Sequence, residues 1–213
     1  MTRTLFDCVG DWFEDVLQAQ FPDLRKIPDK NGTRPDFEGD AFDAEGKVGF
    51  WDYGVQLKEA QVNSFRPIDK PLIYIVGYHT AAGLRNATVG MAEEEIDDFL
   101  RKNAGLHSTY VISNRIIGKI WRRENHTAAN HPEWRYFSLR PRHLDAIINN
   151  RTFERGGVRY TPSRWYRICR PDLLLRPAPL LGGRKDKLQF GAILDKEEDE
   201  PVINYLTKRG LLR

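Results

Sequence analysis

Leu72-Ile-Tyr-Ile-Val-Gly-Tyr78 is a continuous apolar run near the middle of the chain. A run of this length, rich in β-branched and aromatic side chains, is typical of a strand that is buried on both faces. It is much shorter than the roughly 18 residues of a membrane-spanning helix. The run therefore predicts the central strand of a sheet inside a soluble protein.

The composition agrees with a protein that has a substantial core. The chain has 213 residues, of which 40% are hydrophobic and 30% are charged, so one domain spanning residues 1–213 is expected. Cys8 and Cys169 are too few and too far apart in sequence for a disulfide framework, and the first residues lack a secretory signal pattern. We therefore expect a cytoplasmic protein.

The elements predicted around the central run alternate between helices and strands. Apolar residues in residues 5–20 recur with a helical period, and three glutamates followed by basic residues indicate a second helix over 91–104. We predict strands over 36–42, 48–60, 109–112, 116–121 and 134–139, a turn over 43–46, a helix over 142–149 and a hairpin over 152–160. His79 is expected in a loop and the acidic run 195–200 in solvent. This order predicts an α/β (α+β) fold with a central mixed β-sheet flanked by helices.

The charges are unevenly distributed along the chain. Residues 1–60 contain seven Lys/Arg against thirteen Asp/Glu, whereas residues 108–187 contain seventeen against six. Excess carboxylates suit a cation and excess arginines suit a polyanion. We therefore expect a catalytic core in residues 1–107, an Arg-rich DNA-recognition part in 108–187 and a C-terminal extension in 188–213. Two oppositely charged faces of one fold would give the same distribution.

Two strand-like segments carry the residues with the clearest chemistry. Pro35-Asp36 lies in the first, and Val55-Gln56-Leu57-Lys58 forms the second. Because side chains alternate along a strand, Gln56 and Lys58 share one polar face. If the two strands pair, Asp36, Gln56 and Lys58 meet at a sheet edge, where oxygen ligands could hold Mg²⁺ and a lysine could orient a water.

This pattern resembles the PD-(D/E)xK nuclease superfamily, in which a Pro-Asp pair on one strand is followed by an acid-x-Lys triplet on the next. The resemblance covers residues 5–78. It implies a restriction-endonuclease-like core and a Mg²⁺-dependent endonuclease that cuts duplex DNA at specific sequences, commonly as a homodimer. Asp36 and Gln56 would be metal ligands and Lys58 the catalytic lysine, and Glu14 of the first helix would add a further acid. Gln56 departs from the family pattern because it replaces the usual carboxylate with a neutral amide.

The Arg-rich part supplies the candidate DNA contacts. Arginine forms paired hydrogen bonds with phosphate oxygens and with guanine, and aromatic residues between the arginines could stack on bases. The candidate DNA-binding residues are Arg115, Lys119, Arg122, Arg140, Arg142, Arg155, Arg159, Arg164 and Arg167.

Other functions remain open at the level of sequence. A DNA repair or junction-resolving nuclease could share the same core, and Gln56 is compatible with a non-catalytic nucleic-acid-binding protein on a nuclease scaffold. RNA could replace DNA as the ligand. His126 and His131 could belong to a His-based metal site, although no cysteine or paired acid is suitably spaced beside them.

Overall fold

The structure is a computed structural model. It describes residues 5–28, 34–50, 54–58, 62, 70–79, 90–103, 106–123, 127–128, 135–148, 153–155, 158–160, 169, 171, 173–175 and 189–212.

The described elements alternate between helices and strands. The helices are α1 (Leu5–Gln20), α2 (Glu93–Asn103), α3 (Asn114–Arg123), α4 (Pro141–Ile148) and α5 (Glu200–Lys208). The strands are β1 (Arg25–Lys26), β2 (Phe37–Glu38), β3 (Asp43–Phe50), β4 (Val55–Lys58), β5 (Leu72–His79), β6 (Leu106–Ser113), β7 (Thr127–Ala128), β8 (Arg135–Leu139), β9 (Phe153–Arg155), β10 (Val158–Tyr160), β11 (Leu173–Leu175) and β12 (Gln189–Leu194).

A mixed sheet of seven strands forms the centre of the molecule, in the order β1-β2-β3-β5-β6-β12-β11. β3 runs parallel to β5 and β12 parallel to β6, and the other neighbouring strands are antiparallel. All eight residues of β5 are buried, because both faces of this strand are covered. The predicted central strand and the predicted mixed α/β class with flanking helices are confirmed.

The two faces of β5 pack against different layers. Ile73 and Ile75 join a core with Phe13 and Leu17 of α1 and with side chains of α5. Tyr74, Val76 and Tyr78 point to the opposite face, where they pack with side chains of α3, α4, β4 and β8. The alternation of side chains along β5 therefore separates an α1 side of the sheet from an α3 side.

Helix α1 has the bounds that its apolar period predicts. Val9, Phe13 and Leu17 recur at helical spacing and are at most 3% exposed, so they form the face that packs against the sheet. The helix ends at Gln20, two residues before Pro22, whose ring is incompatible with a helix interior. Glu14, on the same helix, forms an ion pair with Lys26 of the edge strand β1.

A smaller antiparallel sheet, in the order β4-β8-β7, lies on the α3 side of the central sheet. Val55 and Leu57 of β4 belong to the same core cluster as Tyr74 and Tyr78. The hydroxyl of Tyr78 donates a 2.8 Å hydrogen bond to the carbonyl of Leu139 at the end of β8. We call this three-stranded unit the small sheet.

Three predicted elements are wrong. The strand predicted over 48–60 is not one strand, because residues 48–50 end β3 of the central sheet and residues 55–58 form β4 of the small sheet. Residues 116–121 belong to helix α3 rather than to a strand, because Ile116, Ile117, Ile120 and Trp121 lie on one helical face and are all buried. The isoleucines of this segment favour a strand by composition, because they are β-branched, but their spacing along the chain is that of a helix. The predicted turn over 43–46 is the beginning of β3, which continues to Phe50.

Further corrections concern polar residues. His79 is the last residue of β5, fully buried, with its ring 5.7 Å from the ring of Trp12. In the acidic run, Glu197, Glu198 and Glu200 are exposed as predicted. Asp195 and Asp199 are instead at most 4% exposed, and their carboxylates accept hydrogen bonds from backbone N–H groups of the turn that follows β12. Residues 189–194, within the predicted C-terminal extension, form β12 and lie inside the central sheet.

Candidate active site

Asp36, Glu45 and Lys47 form one cluster where β2 meets β3. Asp36 precedes β2, and its Oδ2 accepts a 2.8 Å hydrogen bond from the backbone N–H of Gly46. The backbone N–H of Asp36 donates to the Glu45 carboxylate. Nζ of Lys47 donates to Oε1 of the same carboxylate. The cluster thus joins two carboxylates and an ammonium group within a single hairpin.

The alternation along β3 explains why Glu45 and Lys47 lie together. Ala44 and Val48 contribute to the core on the α1 side. Glu45 and Lys47 therefore point to the α3 side, where Glu45 lies beside its register partner Tyr74 on β5. Glycine suits the position between them, since a Cβ on Gly46 would lie 3.2 Å from Cδ1 of Leu17 and 3.5 Å from Oδ2 of Asp36.

Glu45 is a buried acid, with only 1% of its surface exposed. Burial raises the pKa of Glu45 to about 7; Lys47 opposes this shift and the Asp36 carboxylate adds to it. Burial, together with Glu45 and Asp36, also raises the pKa of the Tyr74 hydroxyl. The cluster therefore contains a carboxyl group that changes charge near neutral pH.

Glu14 approaches the cluster from helix α1. Its carboxylate forms a 2.8 Å ion pair with Nζ of Lys26 on β1. Burial raises the pKa of Glu14, the hydrogen bond from Lys26 opposes the shift, and the Asp36 carboxylate adds to it. Glu14 is thus within electrostatic range of Asp36, and in this structure its carboxylate is paired with Lys26.

The carboxylates of Asp36 and Glu45 have the donor chemistry of a magnesium site. Mg²⁺ prefers carboxylate oxygens, and it is commonly bound by one or two of them together with waters and substrate phosphate oxygens. A cation there would favour the ionised form of Glu45 that burial disfavours. In the part of the chain that the structure describes, no three His, Cys, Asp or Glu side chains are grouped to hold a metal ion. Among the described residues, Asp36 and Glu45 are therefore the only two carboxylates that this cluster could offer to a metal ion without a third ligand of this kind.

Gln56 and Lys58 lie elsewhere. Both are exposed on β4, which pairs with β8 in the small sheet. The predicted pairing of β4 with the strand that follows Asp36 is wrong, because β2 pairs with β3 through a connection of only four residues. Val55 and Leu57 bury the opposite side of β4 against the α3-side core, which fixes the small sheet in its place.

The sequence interpretation missed Glu45 and Lys47. Glu45-Gly46-Lys47 is itself an acid-x-Lys triplet, and it follows Asp36 by nine residues. It was hidden because residues 43–46 combine an acid and a glycine in an order typical of turns. The signal that could have found it is the triplet itself, read as the strand that returns after Asp36.

The candidate DNA-binding residues have different surroundings. Arg115 pairs with the buried Asp195 and, at 3.1 Å, with Glu198. Nζ of Lys119 donates a 2.8 Å hydrogen bond to the carbonyl of Cys169. Both side chains therefore stabilise the fold, because Arg115 joins α3 to the turn that follows β12 and Lys119 joins α3 to Cys169.

The remaining basic candidates divide into three groups. Arg122 and Arg142 are exposed, and Arg140 is partly buried. Arg155 and Arg159 lie on the β9–β10 hairpin, which confirms the hairpin predicted over 152–160, but their side chains are outside the described part of the structure. Arg164, Arg167, His126 and His131 lie outside the described residues.

Comparisons of the chain with protein-family models, with curated proteins and with solved structures returned no match. Within the described residues, no helix has the length and apolar character needed to span a bilayer.

Proposed function

We propose that this protein is a Mg²⁺-dependent DNA endonuclease whose active site is built from Asp36, Glu45 and Lys47. The observation that supports it best is the hydrogen-bonded cluster itself. A buried carboxylate bonded to a lysine ammonium lies beside a second carboxylate, and the two acids are linked through the backbone N–H groups of Asp36 and Gly46. Such a cluster has the charges that phosphodiester hydrolysis requires.

The resemblance to the PD-(D/E)xK superfamily supports this assignment when it is transferred to the new positions. Pro35-Asp36 would be the Pro-Asp pair, and Glu45-Gly46-Lys47 would be the acid-x-Lys triplet on the next strand. In this arrangement the acid is a glutamate, so the departure at Gln56 no longer argues for a degenerate site. The restriction-endonuclease-like core is part of the same proposal.

Each residue has a defined task in the proposed reaction. Asp36 and Glu45 would hold Mg²⁺, which when bound neutralises charge on the phosphate and lowers the pKa of a water. The hydrogen bond from Gly46 fixes the orientation of the Asp36 carboxylate. Lys47, bonded to Glu45, would orient the attacking water and compensate charge that develops on the phosphate oxygens.

DNA is the proposed substrate because of the arginines that follow the core. Residues 108–187 carry an excess of eleven positive charges, and Arg122 and Arg142 are exposed. Arginine contacts phosphates and base edges more specifically than lysine does. A homodimer, in which two sites meet the two strands of the duplex, is proposed on the resemblance.

The test is Mg²⁺-dependent nicking of supercoiled plasmid DNA. We expect the wild-type protein to cut, and we expect EDTA or the substitution Asp36→Asn to abolish cutting. Glu94→Gln, which removes an exposed acid from α2, is the matched control and should cut at the wild-type rate. Metal-dependent cutting that survives in Asp36→Asn would overturn the proposed site. DNA binding without cutting in all variants would favour a non-catalytic binding protein.

The products distinguish the type of nuclease. Discrete fragments from plasmid DNA are the result expected for a restriction enzyme. Cuts confined to branched substrates would identify a junction-resolving nuclease that uses the same residues.

A further inference from the structure

The small sheet has one buried face and one exposed face. Along β4, Val55 and Leu57 are buried while Gln56 and Lys58 are exposed. Gln56 is the register partner of Ser138 on β8, so their side chains share the exposed face. We call this surface, together with Arg140 at the end of β8, the outer face.

Arg140 lies at the end of the outer face that is nearest the candidate active site. The register of β4 and β8 places Arg140 opposite Gly54, and a Cβ on Gly54 would lie 2.9 Å from Cγ of Arg140. Gly54 in turn contacts Gly49 of β3, since a Cβ on Gly49 would lie 2.3 Å from the Gly54 carbonyl oxygen. Gly49 is two residues beyond Lys47, so the outer face begins where the catalytic strand ends.

The outer face has the charge and spacing of a nucleic-acid contact. Arg140 and Lys58 stand at its two ends, with the amide of Gln56 and the hydroxyl of Ser138 between them. Four residues of an extended strand separate positions 54 and 58, about 13 Å. That is close to four nucleotides of one DNA strand, at about 3.4 Å each.

We propose that the outer face binds the sugar-phosphate backbone of duplex DNA next to the scissile phosphate. Arg140 and Lys58 each contact a phosphate, and Gln56 and Ser138 donate hydrogen bonds to the same strand. This inference rests on the proposed nuclease function, because it gives the substrate a path that leads to Lys47. It also assigns Gln56 and Lys58 to substrate binding instead of metal binding and catalysis.

The test is the salt dependence of DNA binding, measured by fluorescence anisotropy without divalent metal so that no cutting occurs. The double variant Lys58→Gln/Arg140→Gln should reduce the slope of log K against log salt by about 1.8, since each lost phosphate contact contributes about 0.9. Lys102→Gln/Lys196→Gln, which removes two exposed lysines, is the matched control and should keep the wild-type slope.

Two additional variants show whether a change in the salt dependence comes from a lost contact or from misfolding of the double variant. Lys58→Gln alone changes an exposed side chain and should reduce the slope by about 0.9. Lys58→Arg/Arg140→Lys keeps both charges and should keep the slope. A Lys58→Gln slope equal to that of the control overturns the proposed contact. Because the measurement needs no cutting, a protein that binds DNA in this way but never cuts it would refute the nuclease function and leave the binding face intact.

Discussion

The chain contains two three-residue segments that end in lysine, Glu45-Gly46-Lys47 and Gln56-Leu57-Lys58. The first residue of one segment is buried, whereas the first residue of the other is exposed. In the first, Glu45 is buried beside a second carboxylate and is bonded to its lysine. In the second, Gln56 and Lys58 are exposed and only the middle residue is buried. The strand that pairs with each segment decides which side chains lie beside it. β3 pairs with the strand that follows Asp36, which brings a second carboxylate to Glu45, whereas β4 pairs with β8.

The largest expected effect comes from moving the acid between the triplets. Glu45→Gln should reduce cleavage on the order of 10²-fold or more, because it removes a metal ligand. Adding Gln56→Glu to that variant places a carboxylate on the exposed face of the small sheet, whose strands do not pair with the strand that follows Asp36, and should restore nothing. The measurement is the rate of plasmid nicking. Recovery of activity in the double variant would show that the second triplet is the catalytic one.

Within the second triplet, the buried Leu57 and the exposed Gln56 should differ in their effect on the free energy of unfolding. Leu57 is 1% exposed in the core that joins the small sheet to the central sheet. Leu57→Ala should therefore lower the free energy of unfolding by about 2–5 kcal/mol, by lost burial and a residual cavity. Urea denaturation measures this loss. The exposed neighbour Gln56→Ala should change it by less than about 0.5 kcal/mol, and equal losses would contradict the described orientation of β4.

The first residues of the two triplets, Glu45 and Gln56, should also differ in their effect on the free energy of unfolding as pH changes. The pKa of Glu45 is about 7 in the folded protein, above its ordinary value of 4.5. The unfolded chain therefore loses this proton at lower pH, so stability falls as pH rises from 4.5 to about 7 and stays lower above. Gln56 does not titrate.

Urea midpoints in EDTA at pH 5 and pH 8 measure this effect. Glu45→Gln should be more stable relative to the wild type at pH 8 than at pH 5. The same wild-type-to-variant difference at both pH values would contradict the burial of Glu45.

The smallest expected effect concerns Gly46, the middle residue of the first triplet. A Cβ there already comes within 3.2 Å of Leu17 and 3.5 Å of Asp36. Gly46→Val adds two methyl groups beyond that Cβ and should destabilise the fold by about 1–3 kcal/mol through overpacking. Thermal unfolding provides the measurement. A valine tolerated without loss would mean that α1 does not press on this strand as described.

The elements that could be predicted are those fixed by local patterns. The apolar run of β5 and the helical period of α1 each indicate, from their own residues, which side chains are buried. The predicted bounds of both elements are nearly correct. The hairpin of β9 and β10 was found through its central glycines. None of these requires knowledge of a partner distant in sequence.

The parts that were missed depend on distant partners. β4 is separated by 76 residues from Arg135, where β8 begins. The residues of β4 carry no local pattern that identifies β8 as the strand with which it pairs. Asp195 reads as a solvated acid until Arg115 and the turn N–H groups are placed beside it. Glu45 reads as part of a turn until Asp36 supplies the backbone N–H that its carboxylate accepts.

The central claim is tested most directly by the single-turnover cleavage rate of a labelled DNA duplex in Mg²⁺, with the protein in excess. Lys47→Ala should slow cleavage by about 10²–10⁴-fold, while Lys102→Ala, which removes an exposed lysine of α2, cuts at the wild-type rate. Wild-type cleavage by Lys47→Ala, or a loss in Lys58→Ala as large as that in Lys47→Ala, would contradict the assignment of catalysis to the first triplet.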